Sequence, residues 1–205
     1  MELRPSKILC VGKNYRAHAA EMGGDVPPEP LLFFKPPSAL VGSGDAIVLP
    51  ASSGHVDYEG EIALVLSRRL RHASPEEALA AVSHVLPLND VTARDFQRAD
   101  GQWTRAKGFD TFCPVGRPVP ASPELLADLE VITTVDGVER QRGRASDMVF
   151  SVADVLAFAS SIMTLEAGDL ITTGTPEGVG RLEPGMTVRV EIPGVGAVEN
   201  PVRAG

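Results

Sequence analysis

The chain has 205 residues, 43% of them hydrophobic and 22% charged, with a formal net charge of -8 at neutral pH and a pI near 5.0. That length suits one domain with a real core, and a composition this apolar excludes a disordered chain. The acidic surplus argues against nucleic acid or an anionic membrane as partner. An anionic ligand would need a local positive centre in so negative a protein, and a metal ion would provide one. Met1 to Lys7 is polar and lacks the apolar stretch of a secretory leader. No apolar run is long enough to span a bilayer, and the two cysteines, Cys10 and Cys113, form no spaced framework. A cytoplasmic protein with two buried free thiols is therefore expected.

Taken in chain order, the seventeen prolines and twenty glycines punctuate short β-branched runs, the pattern of many short strands joined by turns. Strands are predicted at Lys7–Val11, Leu31–Lys35, Ala46–Leu49, Glu59–Leu66, Val85–Val91, Glu130–Val135, Leu170–Thr173 and Thr187–Ile192. Pro193 to Gly196 then turns the chain, and Ala197–Val202 closes a terminal hairpin. Helices are few. Ser74 before Pro75, Glu76 and Glu77 supplies an N-cap, a first-turn proline and acidic first-turn residues, for a helix running to about His84. Ser122–Pro123 starts a short helix. Ser151 with Asp154 three residues on makes a capping-box variant, ahead of apolar positions Val152, Val155, Leu156, Ala159, Ile162 and Met163 at helical spacing. Repeats and long linkers are absent, so residues 1–205 read as a single mixed, mostly-β domain with a few short helices.

The chemistry concentrates in acids placed where acids are costly. In a strand, residues two apart share a face, so Glu59 and Glu61 project together at the start of an apolar run. Side-by-side carboxylates repel and resist desolvation, and a solvated strand end is the common setting for such a pair. Asp90, inside the mainly apolar segment Leu86 to Val91, is a third acid of the same kind. Three carboxylates beside apolar β runs can make the oxygen site that Mg2+ or Mn2+ prefers, with positions left for substrate and water. His55, a lone turn histidine, is not expected to join them. His18 and Glu21 stand three apart, so on a helical turn they share a face and can hydrogen-bond. A carboxylate orienting an imidazole makes a general base, although an isolated pair of this kind is usually a surface contact.

Several motifs then fall in one order. Gly12-Lys13-Asn14-Tyr15-Arg16-Ala17-His18-Ala19-Ala20-Glu21 comes first, followed by Phe33-Phe34-Lys35-Pro36 and Asp57-Tyr58-Glu59-Gly60-Glu61. Asn89-Asp90-Val91-Thr92-Ala93-Arg94-Asp95, Lys107-Gly108-Phe109-Asp110 and the run Gly168 to Gly180 complete the set. Together they resemble the catalytic domain of the fumarylacetoacetate hydrolase superfamily over nearly the whole chain. The resemblance implies a β-roll or β-sandwich fold, a homodimer, and Mg2+ or Mn2+ held by Glu59, Glu61 and Asp90. It also implies catalytic roles for His18, Glu21 and Lys107, with Lys35, Arg94, Gln97 and Thr175 on the substrate side. For Arg94, structural neutralisation of Asp95 or Asp90 is an equal alternative. The expected reaction is metal-dependent C–C hydrolysis of an acylpyruvate-type 2,4-dioxo acid to pyruvate and a carboxylic acid. Decarboxylation or isomerisation of oxaloacetate or of 2-oxo-diene acids is the alternative, and a non-catalytic metal-binding module the remote one. The dyad lies within residues 1–50, ahead of a Gly- and Pro-rich stretch, Gly23 to Pro30, and His18 and Glu21 are expected to ride on a lid that orders when substrate binds.

Overall fold

The strand Gly60–Leu66 is buried along its entire length, and the architecture follows from the need to cover both of its faces. In the computed structural model, which describes residues 3–205, Ile62, Leu64 and Leu66 point into one core while Ala63 and Val65 point into another. The first two residues of the polar N-terminal stretch lie outside the described residues.

A six-stranded sheet carries this strand near its middle, in the order Val119–Pro120, Val82–Asn89, Gly60–Leu66, Leu170–Thr172, Ile8–Gly12 and Leu31–Lys35. Its neighbours are antiparallel except for the parallel pair Ile8–Gly12 with Leu170–Thr172. A second sheet of five strands runs Val138–Arg144, Glu130–Val135, Thr187–Ile192, Gly196–Ala204 and Ile47–Leu49. The larger core lies between the sheets, where Leu9, Val11, Ile62 and Leu64 meet Val131, Val190, Ile192 and Val198. The helix Val152–Ile162 closes the same core with Val155, Leu156 and Ala159. On the opposite face of the six-stranded sheet, Ile8, Cys10, Leu86, Leu88, Cys113 and Leu170 form the second core. A third core, with Tyr58, Val91 and Phe112, gathers at a small sheet of Gly180–Arg181, Val56–Tyr58 and Thr92–Ala93. The fold is mostly β with short helices, two packed sheets as the resemblance implies.

Local signals and observed elements agree at the caps. Ser74 and Ser151 both form reciprocal capping boxes, with Glu77 and Asp154, and the Ser122 hydroxyl accepts from the Leu125 N–H. The helix after Ser74 spans only Pro75–Leu79, well short of the expected His84. From Val82 the chain pairs with the central strand, Val82 opposite Leu66 and His84 opposite Val65, so the β ladder takes residues that helical spacing had claimed. The predicted strand Val85–Val91 likewise runs Val82–Asn89, and Asp90 stands just beyond its end. The strand Val138–Arg144 was not expected. Five of its seven residues are exposed because it is an edge strand, so it has no apolar face to announce it. The terminal hairpin forms as read, Thr187–Ile192 with Gly196–Ala204.

One contact fixes how closely the two sheets approach. Gly60 donates its N–H to Gln141 Oε1 at 3.0 Å, and a Cβ built on it would stand 1.9 Å from Thr133 Oγ1. Gly60→Ala is expected to lower stability by about 1–3 kcal/mol through overpacking. Urea unfolding should show a lower midpoint at an unchanged m-value, and an unmoved midpoint would contradict this account of the sheet spacing.

Candidate metal centre and active site

Glu59 occupies the joint between the strands Val56–Tyr58 and Gly60–Leu66. Its N–H donates to Asn89 Oδ1 at 2.9 Å, and its carbonyl accepts from the Asp90 N–H at 2.8 Å. Main-chain geometry thus holds the first and third acids together, while strand alternation puts Glu61 on the face of Glu59. One carboxylate oxygen from each of Glu59, Glu61 and Asp90 lies within 4.8 Å of the others, and all three residues are buried.

Cations surround this cluster unevenly. Lys107 Nζ donates to Glu59 Oε2 at 2.7 Å and to Asp90 Oδ2 at 2.6 Å. Lys35 Nζ donates to Asp90 Oδ1 at 2.7 Å and to the Val91 carbonyl at 3.1 Å. Arg94 pairs with Glu59 Oε1 through Nη2 at 2.6 Å and donates from Nε to Asp57 Oδ2 at 2.7 Å. Burial pushes the Glu59 carboxyl up, but Lys107 and Arg94 outweigh it and hold the group well below the usual carboxylate range. Glu61 goes the other way. Burial raises it well above that range, and the charges of Asp90 and Glu59 raise it further.

That contrast is the test of metal fit. Glu61 accepts the Gly174 N–H at 2.9 Å but has no ion pair among the described residues. Four buried carboxylates, Asp57, Glu59, Glu61 and Asp90, face three buried cations, Lys35, Arg94 and Lys107. A divalent cation would turn that local deficit into a surplus and supply the charge Glu61 lacks. The all-oxygen donor set suits Mg2+ or Mn2+ alike, so the triad can hold a metal ion.

A cavity of about 190 Å³ opens onto the cluster, lined by Glu59, Glu61, His18, Arg94, Lys107 and Thr175 among others. His18 comes from the helix Arg16–Glu21, is 5% exposed, and has Nδ1 3.4 Å from Glu21 Oε2. Glu21 in turn accepts the Gly178 N–H at 3.2 Å. Gly178 has φ +91°, and a Cβ there would meet the Arg140 carbonyl at 2.1 Å, so this donor requires glycine. The Thr175 hydroxyl donates to the Gly60 carbonyl and accepts from Gln141 Nε2, at 2.9 and 2.8 Å.

Among the residues expected on the substrate side, Arg94, Gln97 and Thr175 line the cavity. Arg94 Nη1 donates to Gln97 Oε1 at 2.9 Å. The alternative partners for Arg94 are corrected. Asp95 is engaged instead by the Ser53 hydroxyl and the Gly54 N–H, and Asp90 by the two lysines. The structure does not bring Lys35 to the cavity wall: it is 1% exposed, outside the lining, and donates to Asp90. His55 stays out of the acid cluster but supports it at one remove, its Nε2 2.8 Å from Asp57 Oδ1. Trp103 lines the cavity and also packs edge-on against Phe33, with ring centroids 5.1 Å apart. Sequence reading missed Asp57, Asn89 and Gln141 as supports. The first two stood inside the recognised motifs, whereas Gln141 lay in the unannounced edge strand.

The model of the fumarylacetoacetate (FAA) hydrolase C-terminal family matches residues 7–203. The chain belongs to this family. It is 42% identical over 205 residues to the mitochondrial oxaloacetate tautomerase FAHD1 of Oryza sativa subsp. japonica, covering 95% of this chain and 88% of that one. The crystal structure of a fumarylpyruvate hydrolase from Pseudomonas aeruginosa in complex with Mn2+ and pyruvate superposes with TM-score 0.94 at 33% identity, over 100% of this chain and 92% of that one. A 5-carboxymethyl-2-hydroxymuconate delta-isomerase from Mycobacterium smegmatis gives TM-score 0.91 at 44% identity, over 99% and 80% of the two chains. Members of the family thus differ in reaction on one shared frame.

Glu61→Gln removes the least compensated charge of the cluster. In metal-free protein the variant is expected to melt no lower than the parent, because burial and the charges of Asp90 and Glu59 already disfavour the ionised carboxylate there. Adding Mn2+ at about 100 times its Kd should stabilise the parent by about 2.7 kcal/mol and leave the variant unmoved. Calorimetric melts with and without Mn2+ decide it, and an equal metal-induced shift in both proteins would remove Glu61 from the ligand set.

Proposed function

We propose that this enzyme moves a proton at the carbon beside the carbonyl of a short 2-oxo acid, interconverting the keto and enol forms of oxaloacetate. The observation that carries the reading is that His18, backed by Glu21, faces Glu59, Glu61 and Lys107 across one small cavity. A buried base opposite a cation-holding carboxylate cluster is the arrangement that proton abstraction next to a carbonyl requires. The rice relative, an oxaloacetate tautomerase by name, supports the choice of substrate.

Glu59, Glu61 and Asp90 would hold a divalent cation, which would supply Lewis-acid polarisation of the 2-oxo group and so acidify the C3–H. His18 accepts the C3 proton, and Glu21 holds the imidazole by its Nδ1 side while it carries the positive charge. The same proton is then returned to the oxygen at C2, so the enol forms with no net change in atoms or charge. Lys107 and Arg94 contribute fixed positive charge beside the oxygens on which negative charge develops, and need not reorganise to do so. Burial of His18 keeps bulk water from competing for the proton.

Sequence alone put C–C hydrolysis first, and that remains the second reading. The likeness to the Pseudomonas fumarylpyruvate hydrolase over the whole chain favours it. There the His18–Glu21 dyad would take a proton from water instead of from carbon, and the water would attack the C4 carbonyl of an acylpyruvate. Bond cleavage would then release pyruvate and a carboxylic acid.

Enol absorbance during oxaloacetate equilibration, and pyruvate release from acetylpyruvate, separate the two. Metal-dependent acceleration of the first is the expected result. Pyruvate from acetylpyruvate without any effect on oxaloacetate would replace the tautomerase by the hydrolase. In either reaction Glu21→Ala and His18→Ala should lower turnover by about 100- to 10,000-fold while Mn2+ affinity is kept. Normal turnover by the Glu21 variant would sink the dyad mechanism.

A further inference from the structure

Two cations on the cavity wall have no counterpart in the mechanism. Arg94 and Lys107 are bound by carboxylates, but the side chains of Lys13 and Arg98, which also line the cavity, make no hydrogen bond or ion pair among the described residues. Arg98 stands on the helix Arg94–Asp100, four residues beyond Arg94 and therefore on the same face, one turn farther out. It is exposed while Arg94 is buried, so this helix carries positive charge from the acid cluster to the cavity mouth.

Lys13 reaches the mouth from the other side and is held there at a cost. Its φ is +56°, a left-handed conformation that a lysine rarely adopts. The next residue maintains it. The Asn14 side chain donates to the Phe150 and Thr173 carbonyls at 3.1 and 2.8 Å and accepts the Phe150 N–H at 2.9 Å. The Lys13 amine lies over Gly24, where a Cβ would come within 2.7 Å of it. Strained backbone that a structure over-determines tends to sit at functional sites. Here the strain holds Lys13 in the cavity wall, with its amine over Gly24 and no ion pair of its own among the described residues.

Resting on the 2-oxo acid reading above, we infer that Lys13 and Arg98 form the subsite for a second carboxylate at the far end of the substrate, so that the enzyme selects 2-oxo dicarboxylic acids over monocarboxylic ones. The acid cluster with its cation takes the 2-oxo carboxylate, and the mouth takes the other end. A substrate with an apolar tail would leave both mouth cations without an anionic partner.

Trp103 is the sole tryptophan and lines the same cavity, so its fluorescence reports occupancy independently of turnover. Oxaloacetate and 2-oxobutyrate are matched in length and differ by a carboxylate against a methyl group. Stopped-flow titration of Mg2+-loaded protein should give oxaloacetate at least about tenfold tighter binding, the scale of one charge-assisted pair. Arg98→Gln, on an exposed helix face, and Lys13→Gly should each erode that preference without changing the affinity for 2-oxobutyrate. Lys13→Gly should also raise the melting temperature by about 2–4 °C, since glycine relieves the positive φ. A residue kept only for structure would not trade stability against diacid selectivity. Equal affinities for the two acids in the parent, an undiminished preference in both variants, or no saturable signal with oxaloacetate would each overturn the inference. A selective parent that fails to accelerate enol formation would sink the tautomerase reading alone and leave the diacid subsite standing.

Discussion

The structure is built around the burial of several carboxylates in one place. Removing a carboxylate from water without a partner is prohibitive, and a buried ion pair stabilises only when its geometry satisfies both groups. The protein meets this with a chain of alternating charges. Lys35 holds Asp90, Lys107 bridges Asp90 and Glu59, Arg94 bridges Glu59 and Asp57, and His55 closes the line at the surface. Only Glu61 stands outside the alternation, with a main-chain N–H as partner. The ladder is therefore one positive charge short, and the shortfall falls where three carboxylate oxygens converge.

The two-sheet arrangement exists in part to hold that ladder still. Glu59, Gly60 and Glu61 form a hinge between two cores: the acids face one side, and the glycine lets the second sheet press against the other. Gln141 exploits the closeness. Its amide accepts from the Gly60 N–H and donates to the Thr175 hydroxyl and the Pro176 carbonyl, tying the strand of the ligands to the loop that meets the cavity. That loop continues to Gly178, whose N–H holds Glu21. Packing between sheets, the ligand pair and the His18–Glu21 dyad are thus consecutive links of one hydrogen-bonded path.

What could be read from sequence follows from which of these forces is local. Caps at Ser74, Ser122 and Ser151 depend on residues three apart, and all three formed. The acid pair at Glu59 and Glu61 was visible through strand alternation, because a two-residue period survives any tertiary context. Ladder competition was not visible: nothing near Val82 says that Leu66 will pair with it and stop the helix early. Nor did sequence distinguish the roles of cations. Lys35 and Lys107 both stand in recognisable motifs, yet one braces Asp90 from behind and the other faces the cavity, a difference set by strands far apart in the chain. Gln141 was illegible for a related reason, since an edge strand of mostly exposed charged residues carries no apolar period.

Rigidity is distributed unequally across the cavity, and that division bears on how reaction and specificity can vary within one fold. The inner wall is over-determined. His18 is seated by a helix that Asn14 anchors at its start and Gly178 anchors at its end, so the dyad belongs to the fixed frame in this structure. The stretch after Glu21 is built differently, since Gly23 to Pro30 forms no helix or strand. The mouth is set by Lys13, Met22, Arg98 and Trp103, side chains that can change without disturbing any link of the charge ladder. On the proposed reading, chemistry and substrate choice are then separable: the first rests on the charge ladder and the dyad, the second on half-buried and exposed side chains at the mouth.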